Sequence, residues 1–127
     1  MTVDILLVDD NAIQAATRKA ILTRSGRSVA VACDAEKALA MLDATGSARP
    51  VGLVVTDHLM PGMHGPEFVT LLRARFPLMP VLVLSGMPDA EDSYDNLDVV
   101  FRVKPLPPEE LLALARSLLM GPIARTA

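Results

Sequence analysis

The sequence predicts an α/β domain in which a parallel sheet is covered by helices on both faces. Five short apolar runs alternate along the chain with segments of helical periodicity, and this alternation is typical of βαβ units. The runs are apolar at nearly every position, as expected for strands buried on both sides. With 127 residues, of which 51% are hydrophobic and 3% aromatic, the chain is expected to form one domain with a largely aliphatic core.

The strands are predicted from apolar runs that end at polar or turn-forming residues. No internal repeat and no low-complexity tract interrupts their spacing. The predicted strands cover residues 3–8, 28–32, 52–56, 81–84 and 99–103.

Helices are predicted where apolar residues recur at helical spacing behind a capping residue. Asn11 can cap a helix over residues 12–23, and Asp34 can cap the next. Pro66 and Pro108 suit the first positions of the third and last helices. The predicted inward faces are Ile13, Ala16, Ala20 and Ile21 in the first helix, Ala35, Ala38, Leu39 and Leu42 in the second, Phe68, Leu71 and Leu72 in the third, and Leu111, Leu114, Ala115 and Leu118 in the last.

The segment between the fourth and fifth strands, residues 86–98, lacks an apolar stripe. It contains Pro88 and four acidic residues before Asn96. We therefore expect one or two helical turns, or a mobile loop, in place of a full helix.

Composition excludes several classes of function. A net charge of −3 and a pI near 5.2 do not indicate the positively charged surface that binds nucleic acid. The side chains of Arg73 and Arg75 are expected to be solvated. No apolar run is long enough to cross a membrane, and no secretory signal is visible. Cys33 has no partner for a disulfide within the chain and is expected to pack as a small hydrophobe. A cytoplasmic protein without a nucleic-acid or membrane partner fits these observations.

Polar residues whose side chains are common in functional sites follow four of the five strands. Asp9 and Asp10 follow the first, Asp57 the third, Ser85 the fourth and Lys104 the fifth. Because ligands of open parallel sheets bind at the carboxyl ends of the strands, these residues are predicted to share one acidic pocket.

Such a pocket favours phosphoryl chemistry. Clustered carboxylates repel one another, and proteins neutralise them with a metal or by raising a pKa. Carboxylate oxygens suit Mg²⁺, which also binds phosphate. A lysine such as Lys104 carries a point charge suited to phosphate, and Ser85 can donate a hydrogen bond to a phosphoryl oxygen. One carboxylate can act as the nucleophile and form an aspartyl phosphate.

Four sequence motifs carry a family resemblance. They are LLVDD at 6–10, VVTDHLMPGMHG at 54–65, VLVLS at 81–85 and VKP at 103–105. With them the chain resembles, from residue 3 to about 119, a response-regulator receiver domain of two-component signal transduction, of the kind found in chemotaxis regulators. The resemblance implies a flavodoxin-like, doubly wound, five-stranded sheet in the order 2-1-3-4-5. This sequence departs from the family pattern between the fourth and fifth strands, where the fourth of the usual five helices is expected to be short or degraded. It also implies a receiver domain over residues 1–120 and a short C-terminal tail over 121–127.

The resemblance assigns a role to each residue of the pocket. Asp57 would accept the phosphoryl group. Asp10 would bind Mg²⁺ directly, Asp9 largely through water, and the carbonyl of Leu59 would be a further ligand together with Asp57. Lys104 would contact the phosphoryl group.

It also implies a conformational switch. The hydroxyl of Ser85 would move toward the phosphoryl group, and the rotamer of Phe101 would follow it. The surface formed by Ser85, Phe101 and the last helix would then change. The peptide bond between Lys104 and Pro105 would be cis. His58 and His64, by contrast, are expected to be ordinary loop residues.

The implied phosphoryl donor is a histidine kinase or a histidine phosphotransfer protein, and the domain would catalyse only its own phosphorylation and dephosphorylation. The residues after the last helix are too few for an output domain, so output is expected through protein contact, phosphate relay or a domain outside this sequence. Two alternatives stay open. One is an interaction module of the same fold that is not regulated by phosphorylation. The other is a Mg²⁺-dependent phosphatase or phosphotransferase, which usually carries a second aspartate where this chain has Leu59.

Overall fold

A computed structural model describes residues 3–120 and shows five parallel strands in one sheet, in the order β2-β1-β3-β4-β5. The predicted fold class and strand order are therefore confirmed. The strands are β1 (Ile5–Val8), β2 (Val29–Ala32), β3 (Leu53–Asp57), β4 (Val81–Ser85) and β5 (Val100–Val103), the α-helices are α1 (Ala12–Thr23), α2 (Ala35–Ala44), α3 (Gly65–Arg75) and α4 (Pro108–Leu119), and a 3₁₀ helix spans Pro88–Tyr94.

Side chains that alternate along the strands fill two cores, one on each face of the sheet. Leu6, Val8 and Val54 face the core covered by α2 and α3. Ile5 and Leu7 belong to the core covered by α1 and α4. Burial on both faces explains why the strands are apolar throughout.

Most of the predicted helical faces and caps are present. The side chain of Asn11 accepts a hydrogen bond from the amide of Gln14 at 3.0 Å, and that of Asp34 accepts one from the amide of Lys37 at 2.8 Å. All four residues of the predicted α2 face are buried. In α3 and α4 the predicted faces are buried except at Leu71 and Leu114, which are half-buried.

The predicted inward face of α1 is wrong at three of its four residues, and only Ile21 is half-buried and packs against the core. Ile13 is 82% exposed, and Ala16 and Ala20 are also exposed, whereas Ala15 and Leu22 are the buried residues of this helix. Alanine and isoleucine occur on several sides of α1, so the hydrophobic period alone does not fix its orientation. Packing on the sheet selects the stripe that carries Ala15 and Leu22.

The segment after β4 forms one short 3₁₀ helix, in agreement with the expected one or two turns. Its Ala90 and Tyr94 are buried. The residues that follow are held by Arg73 of α3, whose Nε and Nη2 donate hydrogen bonds to the carbonyls of Leu97 and Asp98 respectively, both at 2.7 Å. Arg73 is therefore not the solvated side chain that the sequence suggested.

Two further expectations concern the surface. Cys33 is exposed rather than packed, and its sulfur lies 3.1 Å from Nζ of Lys37. None of the helices within residues 3–120 has the length and apolar character needed to span a membrane. The proposed tail, 121–127, lies outside the described residues.

Candidate functional site

Three carboxylates meet at the carboxyl edge of the sheet. Asp57 is the last residue of β3, and Asp9 and Asp10 follow β1 directly. One carboxylate oxygen from each of the three lies within 4.8 Å of the others. Asp9 and Asp57 are buried, whereas Asp10 is exposed. The sequence therefore predicted this acidic pocket correctly, because neighbouring parallel strands end at the same edge.

Lys104 reaches the same pocket from the end of β5. Its amide donates a hydrogen bond of 2.7 Å to the carbonyl of Ser85, which fixes the backbone beside β4. Its Nζ lies 3.3 Å from Oδ1 of Asp57. The peptide bond between Lys104 and Pro105 is cis, as the resemblance implied.

A second cation in the pocket, Arg18 of α1, is absent from the sequence-based prediction. Its Nη1 donates to Oδ2 of Asp9 at 3.0 Å and to Oδ1 of Asp57 at 2.9 Å. Arg18 lies on the same stripe of α1 as the buried Ala15 and Leu22, at spacings of three and four residues. The sequence signal that could have found it is a charged residue on that inward stripe, within reach of acids at the strand ends.

Burial and the neighbouring charges of the pocket shift the pKa of Asp9. Burial raises the pKa of Asp9 to about 6, and the neighbouring Asp57 acts in the same direction. The amide of Asn11, which donates to Asp9 at 2.9 Å, and the Arg18 guanidinium oppose this rise in pKa. Closely spaced carboxylates of this kind bind hard cations with oxygen ligands, so the donor set fits Mg²⁺.

The two predicted switch residues are buried on the strands that follow β3 in the sheet. Ser85 is buried at the end of β4, and its Oγ accepts a hydrogen bond of 2.9 Å from the amide of Met87. Phe101 is buried on β5. Leu59, in the turn after β3, has an exposed side chain, and the role of its carbonyl as a metal ligand remains a prediction.

An aromatic contact joins the residue after Asp57 to the 3₁₀ helix. Nδ1 of His58 and the hydroxyl of Tyr94 are 2.7 Å apart and hydrogen-bonded. The Tyr94 ring also lies near Phe101, with ring centroids 5.9 Å apart. Burial lowers the pKa of His58 and raises that of Tyr94, so both partners are neutral at neutral pH. His58 is thus a half-buried contact residue and not the solvated histidine that the sequence suggested.

Gly65 makes this aromatic contact possible. A Cβ atom at this position would lie 1.9 Å from the Tyr94 hydroxyl oxygen and 3.2 Å from Cα of His58. The first residue of α3 therefore has no room for a side chain. His64, just before it, is the N-terminal cap residue of α3, and its side chain makes no capping hydrogen bond.

A 2-1-3-4-5 parallel sheet, with acids after β1 and β3 and a lysine after β5, is the arrangement that defines receiver domains of two-component signalling. A family model described as the response regulator receiver domain matches residues 5–116. The chain therefore belongs to the response regulator receiver domain family, whose general function is to accept phosphate from a kinase.

Curated relatives support the same family. Response regulator MprA of Mycobacterium bovis is 36% identical over 122 residues, which cover 94% of this chain and 51% of that protein. The MprA of Mycobacterium ulcerans is 35% identical over the same length. The chain thus spans about half the length of the curated relatives it matches.

Solved structures agree with the fold. The chemotaxis protein CheY4 of Vibrio cholerae superposes with a TM-score of 0.78 at 27% identity and covers 93% of this chain and 99% of its own. The receiver domain of NtrX from Brucella abortus gives a TM-score of 0.82 at 28% identity, covering 92% of this chain and 98% of its own.

Proposed function

We propose that this protein accepts a phosphoryl group on Asp57 in a Mg²⁺-dependent reaction, with a histidine kinase or a histidine phosphotransfer protein as the donor. The observation that carries this proposal is the placement of Asp57. It is a buried carboxylate at the end of β3, beside Asp9 and Asp10 and 3.3 Å from the Lys104 ammonium group. An acid in such a setting can be a nucleophile, since the groups that would neutralise a phosphoryl group already surround it.

The proposed step is a direct transfer. A carboxylate oxygen of Asp57 forms a bond to phosphorus while the bond between phosphorus and the imidazole nitrogen of the donor breaks. The nitrogen keeps the electron pair and takes up a proton as the neutral imidazole leaves. Lys104 would hold an oxygen of the transferred group as a point charge. In this proposal Ser85 donates its hydroxyl to another phosphoryl oxygen.

Asp9, Asp10, Asp57 and the carbonyl of Leu59 would hold the metal ion. When bound, Mg²⁺ would supply positive charge that neutralises the phosphoryl oxygens. The chain's own contribution is to fix three carboxylates at one strand edge and to keep two of them buried.

The proposed output is a change of surface near Ser85, Phe101 and α4. A phosphoryl group carries about −2 charge, and Ser85 would leave its bond with Met87 to reach it. The downstream partner is proposed to be a protein that recognises this surface. We further propose that residues 1–120 form the receiver unit and that 121–127 are its tail.

The alternative is an interaction module of the same fold that is never phosphorylated. Loss of an acid or of the lysine would favour it, but Asp9, Asp10, Asp57 and Lys104 are all present. A phosphatase acting on a small substrate is less well supported, because Leu59 stands where such enzymes carry a second aspartate.

The test is phosphorylation in a defined mixture. The protein is incubated with MgCl₂ and acetyl phosphate, or with a purified histidine kinase and ATP, and its intact mass is measured. The wild type should gain the mass of one phosphate, and omission of Mg²⁺ or the change Asp57→Asn should abolish the gain. If the wild type gains no mass from either donor, the unphosphorylated module is the better account.

A further inference from the structure

Arg18 stands out because it contacts the two buried carboxylates of the pocket and has no part in the proposed transfer. A single nitrogen, Nη1, donates to Asp9 at 3.0 Å and to Asp57 at 2.9 Å. Only 12% of the Arg18 side chain is exposed, and the two acids are more deeply buried still. These ion pairs are therefore only weakly screened by solvent and salt.

The charges at this strand edge are nearly balanced by side chains alone. Asp9, Asp10 and Asp57 contribute three carboxylates, and Arg18 and Lys104 contribute two cations. Within residues 3–120, Lys104 forms an ion pair with Asp57 alone, whereas Arg18 bridges Asp57 and Asp9. The cation that ties the two strand ends together is thus a residue of the chain itself.

We propose that Arg18 is an internal competitor of the divalent cation: its guanidinium and Mg²⁺ bind the same carboxylates of Asp9 and Asp57, and the metal binds by displacing it. This inference rests on the metal site of the proposed function. Lone pairs engaged by Nη1 are not available to a second cation, and the two positive charges repel each other at this distance. Arg18 would therefore hold the pocket together without metal and weaken its affinity for metal.

The structure also provides space for the displaced side chain. A cleft of about 760 Å³ borders the pocket and is lined by Arg18 together with Gln14 and Thr17 of α1 and with Lys104 and Leu106 on the opposite side. In the proposal the guanidinium rotates into this cleft, which its own side chain lines, because the long side chain has several rotatable bonds. Its release then costs the two hydrogen bonds and leaves the fold intact.

Magnesium affinity provides the first test. Protein freed of metal with EDTA is titrated with MgCl₂ at constant ionic strength, and the amide resonances of residues near Asp9 and Asp57 are followed by NMR. Arg18→Gln keeps two of the three methylene groups of the side chain and removes the charge. It should bind Mg²⁺ about tenfold more tightly than the wild type, as loss of a competing charged hydrogen bond predicts.

Lys19→Gln is the matched control, because Lys19 lies next to Arg18 on the same helix and is exposed. It removes the same charge from the chain and should leave the affinity for Mg²⁺ unchanged. Arg18→Lys, which keeps the charge, should lie between the wild type and Arg18→Gln. An equal gain in Lys19→Gln would overturn the proposal, since overall charge alone would then explain the effect.

A second measurement needs no variant and remains informative if Arg18→Gln fails to fold. In the wild type, the guanidinium NMR resonance of Arg18 should move to a solvent-like position at the same MgCl₂ concentration that shifts the pocket amides. An Arg18 resonance that does not move while the pocket amides shift would contradict displacement.

The outcomes separate this inference from the proposed function. If the wild type binds Mg²⁺ and Arg18→Gln binds it equally or more weakly, the inference is wrong and the metal site stands. If neither the wild type nor any variant binds Mg²⁺, the metal site of the proposed function is wrong and the inference falls with it.

Discussion

Two groups of side chains near Asp57 differ in character, because one is charged and the other is aromatic and neutral. On one side lies the cation flank, Arg18 and Lys104, which contacts Asp57 through charged hydrogen bonds of 2.9 and 3.3 Å. On the other lies the aromatic flank, His58, Tyr94 and Phe101, which joins the turn after β3 to the 3₁₀ helix. The cation flank balances charge where the phosphoryl group would arrive. The aromatic flank is neutral and buried, so it is suited to transmit a movement of the turn.

Acid acts on the two flanks in opposite directions. Asp9, which faces Arg18, has its pKa raised from 3.8 to about 6, so its contribution to stability is complete below pH 3.8 and is lost as the pH rises through 6. His58 has its pKa lowered from 6.5 by burial, so its contribution is present above pH 6.5 and is lost as the pH falls through the folded-state value. Acidification therefore relieves the cost of the buried Asp9 charge beside the cation flank and weakens the aromatic flank.

The largest expected effect on stability comes from filling the space under the aromatic flank. Gly65→Ala places a methyl group against the Tyr94 hydroxyl and the His58 backbone, and the Tyr94 ring must move to accommodate it. We expect a loss of about 1–3 kcal/mol in the free energy of unfolding, the usual cost of overpacking. Urea unfolding followed by circular dichroism measures this loss.

Gly86→Ala is the control for that change, because a Cβ atom at Gly86 meets nothing within 4 Å. Its stability should stay close to that of the wild type. Tyr94→Phe removes the hydroxyl oxygen that the new methyl group would meet. Tyr94→Phe should therefore lower the free energy of unfolding less in the Gly65→Ala protein than in the wild type. Equal stability of Gly65→Ala and the wild type would mean that the aromatic flank is loosely packed.

A smaller effect is expected from neutralising Asp9, the acid that Arg18 of the cation flank contacts. Without metal, Asp9→Asn should be more stable than the wild type at pH 7 by on the order of 1 kcal/mol, because the wild type must keep an ionised acid buried beside Asp57. The difference should shrink as the pH falls from 7 toward 4, where Asp9 of the wild type takes up a proton. Unfolding curves recorded across this range in EDTA test it, and a difference that grows on acidification would contradict the assigned cause.

The smallest effect is expected from removing one hydroxyl. Tyr94→Phe keeps the ring and loses the hydrogen bond to His58, which should cost about 1 kcal/mol at pH 7. In the tautomer in which the Tyr94 hydroxyl donates to the unprotonated Nδ1 of His58, protonation removes the acceptor, so this cost should diminish toward pH 5. Thermal unfolding at both pH values is the measurement, and a cost that does not fall toward pH 5 would show that Tyr94 is not the donor.

The two flanks also differ in how far the sequence predicted them. Asp9, Asp57, Ser85 and Lys104 could be placed because each follows a predicted strand, and the ends of parallel strands meet at one edge. Arg18 could not, since its contacts depend on the orientation of α1, and the spread of alanines around that helix favoured a face containing Ile13. The local sequence pattern shows where a strand ends and which residue follows it. Which face of a helix turns toward the sheet depends instead on how the helix packs in the folded protein.

The aromatic flank was predicted still less well, for a related reason. The weak apolar pattern of residues 86–98 correctly indicated that a full helix is absent. It did not reveal that Tyr94 would be buried against His58, because that contact joins residues 36 positions apart. It also requires the space left by Gly65. Contacts of this range depend on the assembled fold and leave no local sequence signal.

The central claim, that phosphorylation of Asp57 acts on both flanks, is tested most directly by NMR of the intact protein. Amide spectra are recorded with MgCl₂, before and after addition of acetyl phosphate, for the wild type and Asp57→Asn. Resonances around Asp9, Ser85 and Tyr94 should shift in the wild type, and none of these shifts should occur in Asp57→Asn. Spectra that stay unchanged in the wild type, or that change equally in Asp57→Asn, would show that phosphorylation of Asp57 does not act on the two flanks.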